Sequence, residues 1–124
     1  MAVPILKQGD YLIATVQSAL SDAELVELRQ KLVERTLQQR TSGLIVDVTA
    51  LDVLDSFAAR TLRDLAHMAR LRGAETVIVG IQPEVAFAMA RLGLTLEGVS
   101  AALDLEEGLQ FLDCKLRDRR ARRT

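Results

Sequence analysis

The sequence has no tryptophan, a single tyrosine, three phenylalanines, one cysteine and one histidine. Without aromatic anchors its core must be built from Leu, Val, Ile and Ala, a composition that suits helices packed on a sheet. The lone thiol, Cys114, excludes an internal disulfide and any cysteine-based zinc site, because each needs further ligands or a partner at defined spacing. A reducing, cytoplasmic setting fits, with Cys114 read as a small buried hydrophobe near the end of the last helix. The lone His67 leaves no Cys-His pair and no His-Glu helix motif, and no glycine-rich phosphate loop is present. His67 falls on the polar side of its helix, where a solvated imidazole is expected rather than a general base. No enzymatic constellation and no cofactor are therefore expected. No run approaches the roughly 18 apolar residues of a membrane span, and "MAVPILKQGDYLIATV" shows no charged leader before a long apolar stretch, so a soluble protein away from the membrane is expected.

What is present fits one domain: 124 residues, 49% hydrophobic and 27% charged, with no long linker and no internal repeat. The formal net charge of −1 hides an uneven distribution. Residues 115–124 hold six basic residues against Asp118, a net of +5, which leaves −6 on residues 1–114. The expected division is a folded domain over 1–114 and a basic tail over 115–124. With few aromatics and an acidic body, the tail lacks the stacking platform and broad basic face of a nucleic-acid module, and it reads as a solvated helix end.

Two short segments, "VPILKQG" and "YLIATVQ", flank the turn-favouring pair "GD" and predict a β-hairpin. "SDAE" at 21–24 is a capping box, and the helix it opens runs to about Arg40 with Leu25, Leu28, Leu32 and Thr36 on one face. "GLIVDVTA" is apolar and β-branched, as expected for a central strand covered on both faces. The next helix spans about Ser56 to Arg72, with Ala58, Leu62, Leu65, Ala66 and Ala69 inward, and Gly73 stops it. "AETVIVGI" is a second buried strand, and "QPEVAFAMARLG" a helix with Pro83 in its first turn. "GVSAALDL" offers an edge strand, and a last helix from about Leu105 to Leu116 frays into the arginines. Strand and helix alternate, which predicts an α/β domain with largely parallel pairing after the hairpin.

The stretch "DVLDSFAARTL", at 52–62, places Asp-Ser where a buried strand gives way to a helix. Either Asp55 or Ser56 is suited to the N-cap. A serine at such a junction is also accessible to a kinase, and its phosphate would add about −1.5 to −2 charges beside Asp52 and Asp55. Helix amides would accommodate that charge, whereas an acidic or apolar partner docked there would not. The carboxylates Asp47, Asp52, Asp55 and Asp104 are too few and too scattered for a hard-cation loop, and no metal is expected.

The blocks "GLIVDVTALDVLDSFAARTL", "RGAETVIVGIQPEVAFAMARLGL" and "ALDLEEGL", with the opening "VPILKQGDYLIATVQ", together closely resemble the STAS domain of the bacterial stressosome. Within that group the resemblance is greatest to the RsbS type, a STAS domain alone, and it extends from about Val3 to Leu112. It implies a mixed sheet of four to five strands with interleaved helices, and assembly with RsbR-type STAS paralogues into a large cytoplasmic scaffold as a homo- or hetero-oligomer. It further implies that an RsbT-type serine/threonine kinase is held until it phosphorylates the serine of the "DS" motif, here Ser56, and that an RsbX-type phosphatase resets the site. Asp55, Asp47, Phe57, Arg60 and Arg63 are the candidate partner contacts, Asp47 being equally well explained by a local turn bond. The related anti-sigma factor antagonists usually show "DSSG" at this junction, and RsbR-type paralogues usually carry threonine; this sequence has "DSF". The basic tail is not part of the family pattern. Two rival readings are a soluble anti-sigma factor antagonist acting outside a stressosome, and a ligand-binding module or enzyme using the acidic loop.

Overall fold

The computed structural model describes residues 3–94, 96 and 98–122. Five strands, β1 (Ile5–Gln8), β2 (Tyr11–Thr15), β3 (Gly43–Asp47), β4 (Glu75–Val79) and β5 (Ser100–Ala102), lie in sequence order across one mixed sheet. The β1–β2 hairpin is antiparallel, pairing Gln8 with Tyr11, and the other pairings are parallel, with Leu12 beside Leu44, Leu44 beside Thr76, and Ile78 beside Ala101. Helices α1 (Asp22–Gln38), α2 (Ser56–Arg70) and α3 (Pro83–Arg91) are the crossovers this parallel order requires, and α4 (Leu105–Arg122) follows β5. The hairpin, the buried central strands and the edge strand β5 all form where the residue pattern places them.

Alternation along the strands divides the apolar residues between two faces. Leu12, Ala14, Leu44, Val46 and Ile78 enter the larger core with Leu25, Leu28 and Leu32 of α1 and Leu62 and Leu65 of α2. Ile13, Ile45, Val77 and Val79 meet Leu112 of α4 on the opposite face. Here α4 comes very close to the sheet, because Gly108 has no side chain: a Cβ there would lie 2.7 Å from Val79 Cγ1.

All four residues expected on the inner face of α1, including Thr36, are buried, and the capping box is formed. The Ser21 hydroxyl accepts from the Glu24 amide at 3.1 Å, and Glu24 Oε1 accepts from the Ser21 amide at 3.0 Å. That backbone N–H holds the Glu24 carboxyl below its ordinary range.

The end of the chain departs from expectation. Instead of fraying after Leu116, α4 continues to Arg122 and crosses the expected boundary between 114 and 115. Two of its basic residues, Lys115 and Arg119, are anchored on Glu75, a carboxylate only 5% exposed at the start of β4. Arg119 Nη2 lies 2.5 Å from Glu75 Oε1 and Lys115 Nζ 3.5 Å from Oε2, while Arg119 Nη1 also donates to the Gly73 carbonyl at 3.1 Å. Arg70 of α2 approaches the same carboxylate at 3.7 Å. Nor is Cys114 buried: it is exposed, because it stands about 200° around the helix from the inward-facing Leu112.

Candidate functional site

Each of α1, α2, α3 and α4 follows the end of a parallel strand, so all four helices begin at the same end of the sheet. The junction between β3 and α2 lies there. Its strand side is closed by Asp47, whose Oδ1 accepts from the Thr49 amide at 2.9 Å and the Thr49 hydroxyl at 2.6 Å. The local turn bond open to Asp47 is thus formed. The turn is tied across to the next junction, since Gln82 Nε2 donates to the Thr49 carbonyl at 2.7 Å. Gly80 makes this approach feasible. Its φ is +79°, and a Cβ would lie 1.9 Å from Thr49 Oγ1, so any side chain faces both left-handed strain and a steric clash.

On the helix side, Asp55 is the N-cap: its backbone is extended, and its Oδ1 accepts from the Ala58 amide at 2.8 Å. Ser56 is therefore the first helical residue. It is exposed, and its hydroxyl has no hydrogen-bond partner among the described residues. By helix geometry the amides of Ser56 and Phe57 have no intrahelical acceptor, so two donors remain beside a hydroxyl that the cap does not occupy. Asp52 is exposed just before this turn.

Beneath Asp55 is an apolar cavity of about 110 Å³, bordered by Val16, Leu20, Leu25, Leu51, Leu54 and Ala58. Its outer rim includes Val53, which is 72% exposed. Phe57 is half-buried against the main core rather than projecting from it. Arg60 is exposed one turn into α2, and Arg63 is half-buried another turn along. The structure thus brings Asp47, Asp55, Ser56 and Phe57 to one end of the sheet and sets Arg60 and Arg63 progressively further down α2. Asp104 caps α4, accepting from the Glu107 amide at 2.9 Å, and among the described residues no group of three or more His, Cys, Asp or Glu is placed to hold a metal ion. His67 is exposed, and no described helix is long and apolar enough to cross a membrane.

Sequence reasoning missed Thr49, Gly80 and Gln82. The only local signal was Gly80 directly after an apolar strand, which marks a special backbone position without naming what approaches it.

Comparison with known proteins places this geometry in a family. Residues 2–107 match the STAS domain. Two Bacillus subtilis proteins are similar: the RsbT co-antagonist protein RsbRC is 34% identical over 95 residues, covering 73% of this chain and 33% of its own length. The RsbT co-antagonist protein RsbRA is 28% identical over 83 residues, covering 67% and 30% respectively. The chain thus spans about a third of the length of these curated relatives. Among solved structures, RsbS of Moorella thermoacetica, in a form with one serine replaced by glutamate, superposes with a TM-score of 0.81 at 33% identity, over 94% of this chain and 99% of that one. A chain from the molecular architecture of the stressosome superposes with a TM-score of 0.74 at 32% identity, over 92% and 99%. The anti-sigma factor antagonist SpoIIAA shares the fold at 15% identity. An exposed serine opening a helix capped by aspartate, on a five-stranded mixed sheet with this likeness to RsbS, belongs to the STAS domain family and to its stressosome branch.

Proposed function

We propose that this chain is a non-enzymatic stressosome scaffold subunit that holds an RsbT-type serine/threonine kinase and releases it when Ser56 is phosphorylated. The observation that carries the reading is the division of labour at the start of α2. Asp55 supplies the cap, so the adjacent serine is exposed and has no partner to lose. A phosphate on Ser56 would meet the unpaired amides of the first turn and the positive end of the helix, which lets the fold tolerate it. It would also raise the negative charge of a surface that already carries Asp52 and Asp55, which weakens any acidic or apolar partner seated there. The modification therefore acts on the partner and leaves the domain folded.

The RsbT co-antagonist relatives support an RsbT-type kinase as that partner, and the likeness to a stressosome chain supports assembly with RsbR-type STAS paralogues in the cytoplasm. An RsbX-type phosphatase then returns Ser56 to its unmodified state. Asp55 acts chiefly through the helix start, and Arg60, with Arg63 behind it, extends the docking face along α2.

The deciding experiment is phosphosite mapping by mass spectrometry after incubation with ATP and the cognate switch kinase, beside Ser56→Ala. One phosphate on Ser56, absent from the variant, is expected, together with kinase retention that falls in Ser56→Asp. Normal phosphorylation of Ser56→Ala would overturn the reading.

A further inference from the structure

Glu75 attracts more positive charge than one carboxylate needs. Arg70, Lys115 and Arg119 all reach it, the first two on the same oxygen at 3.7 and 3.5 Å. A single well-placed arginine satisfies a buried carboxylate, and each further cation is repelled by those already present. Cations near the ends of α2 and α4 complement the dipoles of those helices, which accounts for basic residues there. It does not account for their convergence on one side chain from two elements.

The excess charge faces a groove of about 510 Å³ along α4, bordered by Glu75, Phe111, Lys115, Asp118, Arg119 and Arg122. Counting Arg70 on the same carboxylate, four cations stand against Glu75 and Asp118, which leaves two positive charges. Most of these cations are fixed by the fold itself. Arg119 also donates to the Gly73 carbonyl at 3.1 Å and Arg70 to the Gly98 carbonyl at 2.6 Å, while the Lys115 ammonium lies 5.5 Å from the centre of the Phe111 ring. The side chains of Arg70, Lys115 and Arg119 are nonetheless 47, 42 and 34% exposed, so donors remain for a solute. Arg122 is exposed and forms no salt bridge among the described residues.

We propose that this groove binds a small organic phosphate monoester. Such a phosphate carries about −1.5 to −2 charges at pH 7, which matches the excess and concentrates it on one group, as converging cations require. Guanidinium groups fit phosphate oxygens through paired N–H donors. The half-buried Phe111 gives the organic part an apolar wall, and the volume is that of a small-molecule site rather than of a bare ion. Asp118 interrupts the basic surface and aromatic side chains are scarce, which disfavours a nucleic-acid strand. Glu75 opens β4, whereas α2 follows the end of the parallel strand β3, so the groove and Ser56 lie at opposite ends of the sheet. The proposal therefore goes beyond the kinase reading and does not depend on it.

The test is a titration of the whole chain with phenyl phosphate at about 0.05 M salt, followed by amide shifts in nitrogen-15 NMR spectra. Saturable shifts centred on residues 73–75 and 111–122 are expected, with a Kd of roughly 1 mM or below. Inorganic phosphate, which lacks the organic part, and phenyl sulfate, a monoanion, should each bind several-fold more weakly. Arg122→Gln removes a cation that anchors nothing and should weaken binding about threefold or more, and Lys115→Gln/Arg122→Gln about tenfold or more. Arg117→Gln/Arg120→Gln, on a separate cleft beside Tyr11, should bind as the unmodified chain does. Absent shifts, shifts centred elsewhere, unchanged affinity in Arg122→Gln, or phosphate or phenyl sulfate binding as tightly as phenyl phosphate would overturn the proposal. So would tighter binding of a thymidine oligonucleotide that Arg117→Gln/Arg120→Gln weakens as much as Lys115→Gln/Arg122→Gln, which would replace the groove with a diffuse basic surface.

Discussion

Two charged regions of this molecule solve the problem of a carboxylate in opposite ways. At the β3–α2 junction, Asp47 and Asp55 are satisfied by amides two and three residues away, and their charge stays at the surface. At the start of β4, Glu75 is buried and depends on cations from α2 and α4, 40 or more residues distant along the chain except for Arg70. Short-range bonding keeps a surface available to others, whereas long-range pairing closes the fold on itself. The carboxylates of the first region therefore stay open to solvent, and Glu75 does not.

The sharpest way to break the contrast is Gly80→Ala. Left-handed strain and collision with Thr49 should together cost about 2–4 kcal/mol, read as a lower midpoint in urea. Thr49→Gly should recover part of that loss in the double variant, and an unchanged penalty would show that the two junctions are not packed as described. Next in size is Glu75→Gln, which leaves three cations facing a neutral amide. A loss of about 2 kcal/mol is expected, below the usual cost of breaking a buried pair because those cations are themselves partly solvated. Asp55→Ala should cost about 1 kcal/mol through the lost cap. If Glu75→Gln proves cheaper than Asp55→Ala, the distinction between a closing and an open region fails.

The last effect is confined to the alkaline side and leaves stability at neutral pH untouched. Tyr11 donates its hydroxyl to Asp113 of α4, and burial, then that hydrogen bond and the neighbouring charge, raise its pKa from 10.0 to about 12. The folded state thus favours the neutral phenol. Its contribution is complete below pH 10 and is lost as the pH rises towards 12, so a plot of stability against pH should fall across that window. Tyr11→Phe should flatten this fall, and an identical slope in the variant would remove Tyr11 as its source.

How much of this was readable beforehand follows the same division of range. The capping box and the inner face of α1 rest on residues close in sequence, and each is legible as a spacing. The start of α2 was half legible: Asp55 and Ser56 are both good caps, and only the backbone decides which is used. Glu75 carries no local mark of its partners, because Arg119 arrives from the other end of the chain. The link from Gln82 to Thr49 spans 33 positions and is invisible to any pattern within one segment. Cys114 was misjudged because the register of α4 on the sheet is set by Gly108 and Leu112, not by the hydrophobicity of a thiol.

That misjudged thiol has a practical consequence. As the sole cysteine of the sequence, exposed on α4 and bordering the groove formed with Lys115, Arg119 and Arg122, Cys114 accepts a maleimide dye at one known place without any engineering. Fluorescence anisotropy from that position would follow encounters along this groove of α4 in real time.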